Sequence, residues 1–108
     1  MRKSHAKEFV DEYVREFEKK AFDVDSLVLF GSQARGTATI SSDVDIAVVM
    51  EAILTPRERG ELVCLGDEIN SQVKINLFFT TKDAINNATH IFDTNKYIRE
   101  EGVVLWQS

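Results

Sequence analysis

The most constraining feature of the sequence is the stretch 27–49, in which two apolar segments flank a polar loop. The second segment begins with Asp43 and Asp45, two residues apart. Successive side chains of a strand alternate between faces, so we expect both carboxylates to point the same way and Val44 to point the other way. Carboxylates that converge repel each other unless a cation lies between them, and Mg²⁺ prefers oxygen ligands of this kind. The segment therefore predicts a strand that opens with a metal site.

A glycine–serine turn follows the first apolar segment. Gly31 lets the backbone turn sharply and approach a ligand. Ser32 offers a hydroxyl and an N–H at the start of a predicted short helix, where anions bind. Arg35, about one helical turn further on, is either a second contact to the same anion or a solvated surface arginine. Ser42 is a candidate for substrate binding or for ordinary loop hydrogen bonds. Turn and carboxylates together predict a site for a metal-bound nucleoside triphosphate.

This combination resembles a known family. Gly31-Ser32, ten intervening residues and Asp43-Val44-Asp45, with Arg35-Gly36 between them, resemble the signature of the polymerase-β-like nucleotidyltransferase superfamily. The small size resembles its minimal branch. The resemblance implies an α/β (α+β) nucleotidyltransferase fold, with a small mixed sheet of about four strands flanked by helices. It also implies one minimal nucleotidyltransferase domain over residues 1–108.

The resemblance further implies a chemistry. Asp43 and Asp45 would be the catalytic carboxylates and would hold two Mg²⁺ ions, with ATP or another nucleoside triphosphate as substrate. Gly31, Ser32, Arg35 and Ser42 would bind the nucleotide.

The third carboxylate of the family is where this chain departs from the pattern. In active relatives an aspartate between hydrophobic residues lies on the strand predicted here over 73–79, and Asn76 stands at that position. An asparagine oxygen can ligate a hard cation, but it brings no charge and cannot act as a base. Asn76 is therefore predicted to be a weak metal ligand, with Asp83 as an alternative source of the carboxylate. Gln33 stands where many minimal relatives carry a basic residue, which removes one possible phosphate contact.

The remaining elements follow from periodicity and capping signals. Apolar residues at three- and four-residue steps predict a helix over 4–21. A capping box at Thr55–Glu58 predicts a second helix that runs to about Ser71. Residues 82–101 are predicted to be helical with a break near Asn86-Asn87, and a short strand follows Gly102. Four residues of this last segment are expected to face inward: Ile91, Phe92, Tyr97 and Ile98.

Composition bounds the class of protein. At 108 residues, with 44% hydrophobic and 29% charged residues, the chain is typical of a single globular domain. Its one cysteine allows no internal disulfide, and no signal-peptide or membrane-spanning run is present, so a cytoplasmic location is expected. The net charge of −5 argues against direct nucleic-acid binding.

Two functions remain open at this point. The first is an enzyme that transfers a nucleoside monophosphate, AMP in particular, to a hydroxyl of a partner, as the resemblance to antitoxins of small helical HEPN-type toxins implies. A homodimer is the alternative partner. The second is a weak or inactive nucleotide-binding or antitoxin module, because Asn76 replaces the third carboxylate. A glycosyltransferase also uses paired aspartates, but its nucleotide domain is longer and lacks the Gly31-Ser32 spacing.

Overall fold

The structure is a computed structural model that describes residues 2–37, 43–69 and 74–108. Helices and strands alternate along these ranges, with two helices in succession before the last strand. The elements are α1 (Arg2–Lys19), β1 (Val24–Phe30), α2 (Ser32–Arg35), β2 (Val44–Met50), α3 (Pro56–Glu68), β3 (Ile75–Thr81), α4 (Lys82–Asn87), α5 (Thr94–Glu101) and β4 (Val103–Gln107).

The four strands form one mixed sheet in the order β3-β2-β1-β4. β1 pairs antiparallel with β2 and with β4, whereas β2 and β3 run parallel. The parallel pair needs a crossover connection, and α3 lies within it. The predicted mixed sheet of about four strands flanked by helices is confirmed. Within the described ranges, no helix has both the length and the apolar character needed to span a bilayer.

Helices α1 and α3 cover one face of the sheet. Phe9, Tyr13 and Phe17 of α1 form a buried aromatic row with ring centroids 5.2 and 5.3 Å apart. The Tyr13 hydroxyl donates a hydrogen bond of 2.9 Å to the carbonyl of Leu62 in α3. Burial raises the pKa of Tyr13, so this hydroxyl stays protonated and keeps its donor role. Alternate residues of β2, beginning with Val44, pack into this layer.

Helices α4 and α5 lie on the opposite face. Val28, Ala47, Val49 and Ile98 form a second buried cluster there. Because residues of β2 alternate between faces, the face that carries Ala47 also carries Asp45. The candidate carboxylate therefore lies at the end of an apolar face that the C-terminal helices cover.

Four residues of the last helical segment were expected to face inward, and this expectation is wrong for three of them. Ile98 is buried, but Ile91, Phe92 and Tyr97 are exposed. The predicted helix break is wider than expected, since α4 ends at Asn87 and α5 begins only at Thr94, capped by the Asp93 side chain. Helical periodicity therefore does not apply to Ile91 and Phe92, which lie in the connecting turn.

The observed helix ends differ little from the predicted ones. The Thr55 hydroxyl accepts a hydrogen bond from the Glu58 N–H, and the Glu58 carboxylate accepts one from the Thr55 N–H, so the capping box is confirmed. These bonds lower the pKa of Glu58 because they favour its charged form. Helix α3 ends at Glu68, and the predicted end at Ser71 lies outside the described residues.

Gly102 ends α5, but not with the left-handed conformation that a glycine after a helix often adopts. Its φ of −67° is open to any residue. The constraint is steric, because a Cβ at this position would overlap the carbonyl oxygen of Ile98 and the side chain of Val28. Glycine is needed here so that β4 can begin directly against α5 and β1.

We expect Gly102→Ala to lower the free energy of unfolding by about 1–3 kcal/mol, the usual cost of overpacking a close contact. Gly60→Ala is the matched control, because Gly60 lies within α3 with open space where its Cβ would be. That change is expected to raise stability by about 0.5–1 kcal/mol through helix propensity. Urea unfolding of both variants tests this, and equal effects would contradict the steric role of Gly102.

Candidate active site

The candidate site lies where the parallel strands β2 and β3 begin. Asp45 is paired in register with Asn76, and the N–H of Val44 donates to the carbonyl of Lys74 at 2.9 Å. Register partners in a parallel pair present their side chains on the same face, so the Asp45 and Asn76 side chains are neighbours. Asp43 directly precedes β2 at the same edge.

The two carboxylates converge on the amide of Asn76. The Asn76 Nδ2 donates one hydrogen bond to Asp43 Oδ2 and one to Asp45 Oδ1, each 3.1 Å long. A primary amide carries two N–H donors, which is enough for both contacts. Asn76 therefore presents its nitrogen to the carboxylates, whereas the sequence predicts that it presents an oxygen to a metal ion.

The hydrogen bonds from Asn76 stabilise the two carboxylates against their mutual repulsion. Because both oxygens lie 3.1 Å from one nitrogen, they are within about 6 Å of each other. Two full charges at that separation repel by about 3 kcal/mol at an effective dielectric constant near 20. Hydrogen bonds to charged acceptors stabilise by about 1.5–3 kcal/mol each. The Asn76 amide thus offsets the repulsion with no ion present.

The glycine–serine turn lies directly against the acids. Gly31 has φ 75° and ψ −155°, a backbone conformation that is essentially restricted to glycine. A Cβ on Gly31 would overlap the Asp45 carboxylate. Ser32 begins α2, as predicted, although this helix has only four residues. The structure therefore brings Gly31, Ser32, Asp45 and Asn76 into one region.

Arg35 is engaged by a residue that the sequence does not point to. Its Nη1 lies 3.2 Å from Glu101 Oε2 at the end of α5, in a partly exposed ion pair. This pair ties the short helix of the turn to the C-terminal helix. Arg35 is still an exposed surface residue, and its contact with a phosphate stays a prediction. No local pattern identifies Glu101, because the two residues are 66 positions apart.

Gln33 and Asp83 complete the list of residues considered from the sequence. The Gln33 side chain is buried, and its Nε2 has no hydrogen-bond partner. Asp83 lies in α4, beyond the far end of β3 from Asn76. Six residues of strand span about 20 Å, so Asp83 cannot supply the missing carboxylate. Ser42 lies outside the described residues.

The donor set fits one divalent ion better than two. Among the described residues, no group of three His, Cys, Asp or Glu side chains is placed to hold a metal. Asp43 and Asp45 supply two charges, which match one Mg²⁺, and the third side chain at the site is a neutral amide. The Asn76 nitrogen already contacts one oxygen of each carboxylate.

On the described part of the chain, one cavity borders the candidate site and another lies at the far ends of the same two strands. A cavity of about 210 Å³ borders Asn76 and is otherwise lined by residues of α1, α3 and β3, among them Asp67. A larger one of about 320 Å³ lies at the opposite ends of β2 and β3, around Met50 and Thr81. The larger cavity contains none of the candidate residues.

Comparison with known families decides the classification. The model of the nucleotidyltransferase domain family matches residues 10–104. The chain belongs to the nucleotidyltransferase domain family. This match spans α1 to β4 and includes the glycine–serine turn and both aspartates. A search of curated proteins gives no match.

Solved structures share the fold of this nucleotidyltransferase domain at low sequence identity. A candidate nucleotidyltransferase from Sulfolobus solfataricus aligns with a TM-score of 0.64 and 22% identity, over 96% of this chain and 78% of that one. A toxin–antitoxin structure with AMP-PNP aligns with a TM-score of 0.60 and 22% identity, over 94% and 73%. A mutant of the toxin–antitoxin pair MntA–HpeT aligns with a TM-score of 0.57 and 20% identity, over 91% of this chain and 73% of that one.

We expect Gly31→Ala to disturb the Asp45 carboxylate and to lower stability by more than about 2 kcal/mol, through backbone strain and overlap. Gly36→Ala is the control, because Gly36 also has a positive φ of 77° but has open space around its Cβ position. It should cost only about 1–2 kcal/mol. Denaturant unfolding measures both, and equal losses would show that Asp45 does not pack on Gly31.

Proposed function

We propose that this domain transfers a nucleoside monophosphate, AMP in particular, from a metal-bound nucleoside triphosphate to a hydroxyl of a partner protein, at a low rate. The observation that supports this is the convergence of the two carboxylates with the Gly31–Ser32 turn. Each part suits one half of the ligand: backbone N–H groups at a glycine turn suit phosphate oxygens, and carboxylates suit the accompanying cation.

Each residue has a distinct part in this proposal. Asp43 and Asp45 would hold one Mg²⁺, which when bound neutralises phosphate charge and polarises the phosphorus–oxygen bonds. Gly31 would let the backbone approach the triphosphate, and Ser32 would donate hydrogen bonds to it. Arg35 would add a positive charge to the same side, held near the turn by Glu101. Ser42 would contribute a hydroxyl from the loop before Asp43.

The low rate follows from Asn76. A neutral amide cannot accept a proton from the acceptor hydroxyl and adds no charge to hold a second ion. Removing one charged group from such a site costs several kcal/mol of transition-state stabilisation, which corresponds to several powers of ten in rate. Nucleotide binding depends on Asp43, Asp45 and the turn, so we expect it to suffer much less.

The proposed partner is a small helical toxin of the HEPN type. Two of the structurally similar proteins are toxin–antitoxin pairs, and one of those structures contains AMP-PNP. Transfer to a hydroxyl also requires a surface that holds the acceptor next to the nucleotide site. A partner chain, or a second copy of this one, would supply that surface.

A second candidate function is a binding module that uses the nucleotide as a ligand without transferring it. The Asn76 bridge favours it, because the side-chain amide already holds the two carboxylates together through hydrogen bonds. Such a module would still occupy an antitoxin's place beside its toxin. Transfer and binding have to be measured separately to distinguish the two.

The direct test uses ATP labelled at the α-phosphate, Mg²⁺ and the product of the neighbouring gene as acceptor. We expect slow, Mg²⁺-dependent incorporation of label into the partner, and its loss in Asp45→Asn. Calorimetry on the same protein should show that the wild-type chain binds the nucleotide. Binding without any incorporation would leave the binding module as the function.

Asn76→Asp restores a third carboxylate and should raise the transfer rate by several powers of ten if the missing charge limits it. Asn87→Asp is the matched control, since Asn87 is exposed at the end of α4 and its change adds the same charge outside the group formed by Asp43, Asp45 and Asn76. It should leave the rate unchanged. An unchanged rate in Asn76→Asp would mean that another group already serves as the third ligand or the base.

A further inference from the structure

We propose that the side-chain amide of Asn76 acts as an internal competitor of the divalent ion, so that an ion can bind between Asp43 and Asp45 only after both amide hydrogen bonds break. This rests on the proposed function only in taking Asp43 and Asp45 as the groups that hold the ion. It goes beyond a missing carboxylate, because it assigns Asn76 an active opposing role.

The geometry assigns the amide to the cation's place. The Asn76 Nδ2 lies 3.1 Å from one carboxylate oxygen of Asp43 and 3.1 Å from one of Asp45, and it donates a hydrogen bond to each carboxylate. Bonds of this charge-assisted type are the stronger class of hydrogen bond. An arriving ion has to replace two such bonds, and it also loses part of its hydration shell.

The packing and pairing of β3 hold the backbone of Asn76 in place. Its neighbours Ile75 and Leu77 pack against the core on the α1 and α3 face. Paired in register with Asp45, Asn76 cannot shift along β3 without breaking the parallel ladder. The amide must therefore leave by side-chain rotation alone, with the backbone fixed. The sheet therefore fixes the backbone position from which the Asn76 amide reaches both carboxylates.

A competitor and a simple weak ligand predict opposite effects of removing the side chain. If Asn76 mainly ligates the ion through its oxygen, Asn76→Ala weakens ion binding. If it mainly competes, the same change strengthens binding, because water can replace a neutral oxygen ligand and the amide hydrogen bonds no longer oppose the ion. The sign of the change decides between the two roles.

The experiment is a Mn²⁺ titration of the wild-type chain, Asn76→Ala and Asn87→Ala, followed by electron paramagnetic resonance without nucleotide or partner. We expect Asn76→Ala to bind Mn²⁺ about a hundredfold more tightly than the wild type, because two charge-assisted hydrogen bonds no longer oppose the ion. Asn87→Ala should match the wild type. Equal or weaker binding by Asn76→Ala would overturn the proposal.

A measurement on the wild-type chain covers the case in which Asn76→Ala does not fold. The two side-chain amide protons of Asn76, assigned by NMR, should exchange slowly in EDTA and lose that protection at saturating Mg²⁺. Fast exchange in EDTA, or protection unchanged by bound Mg²⁺, would refute the competitor role. Neither assay contains nucleotide, so a failure to observe transfer would count against the proposed function and leave this inference intact.

Discussion

The hydrogen-bonded bridge from Asn76 to Asp43 and Asp45 is the interaction on which the account of this protein depends. Two acids at the start of β2 are held together by the side chain that lies beside them on β3. Such a pair is costly without a counter-charge, and here a neutral amide lowers that cost with directed N–H groups. The bridge therefore organises the two carboxylates, and in our proposal it also opposes an incoming ion.

The fold serves this site by fixing two strand starts and one turn. The buried aromatic row of α1 and the α3 packing hold one face of the sheet, so β2 and β3 stay in register. On the other face, Asp45 adjoins an apolar strip where Phe30 and Phe78 meet edge to face, with centroids 6.1 Å apart. Gly31 brings the turn against Asp45 because no side chain intervenes. The two candidate carboxylates thereby lie together where β2 begins, next to the turn.

Much of this could be predicted from the sequence, for physical reasons that differ between elements. Alternation placed Val44 on one face and the acids on the other, and the Thr55–Glu58 capping signal is local, so it gave the start of α3. The inward-facing assignment of Ile91 and Phe92 was wrong, because the helical period does not continue through the turn between α4 and α5. The role of the Asn76 nitrogen could not be predicted from the sequence, since it depends on pairing with Asp45, which is 31 positions away along the chain. The Arg35–Glu101 pair was missed for the same reason.

The central claim is that Asp43, Asp45 and the Gly31 turn form a nucleotide site with room for one ion, because Asn76 supplies no third charge. A crystal structure with Mg²⁺ and a non-hydrolysable triphosphate tests it most directly. We predict one ion that bridges the phosphates and the two aspartates, with the Asn76 nitrogen displaced from between them. Two ions at the site, or a triphosphate bound away from Asp43 and Asp45, would contradict the account.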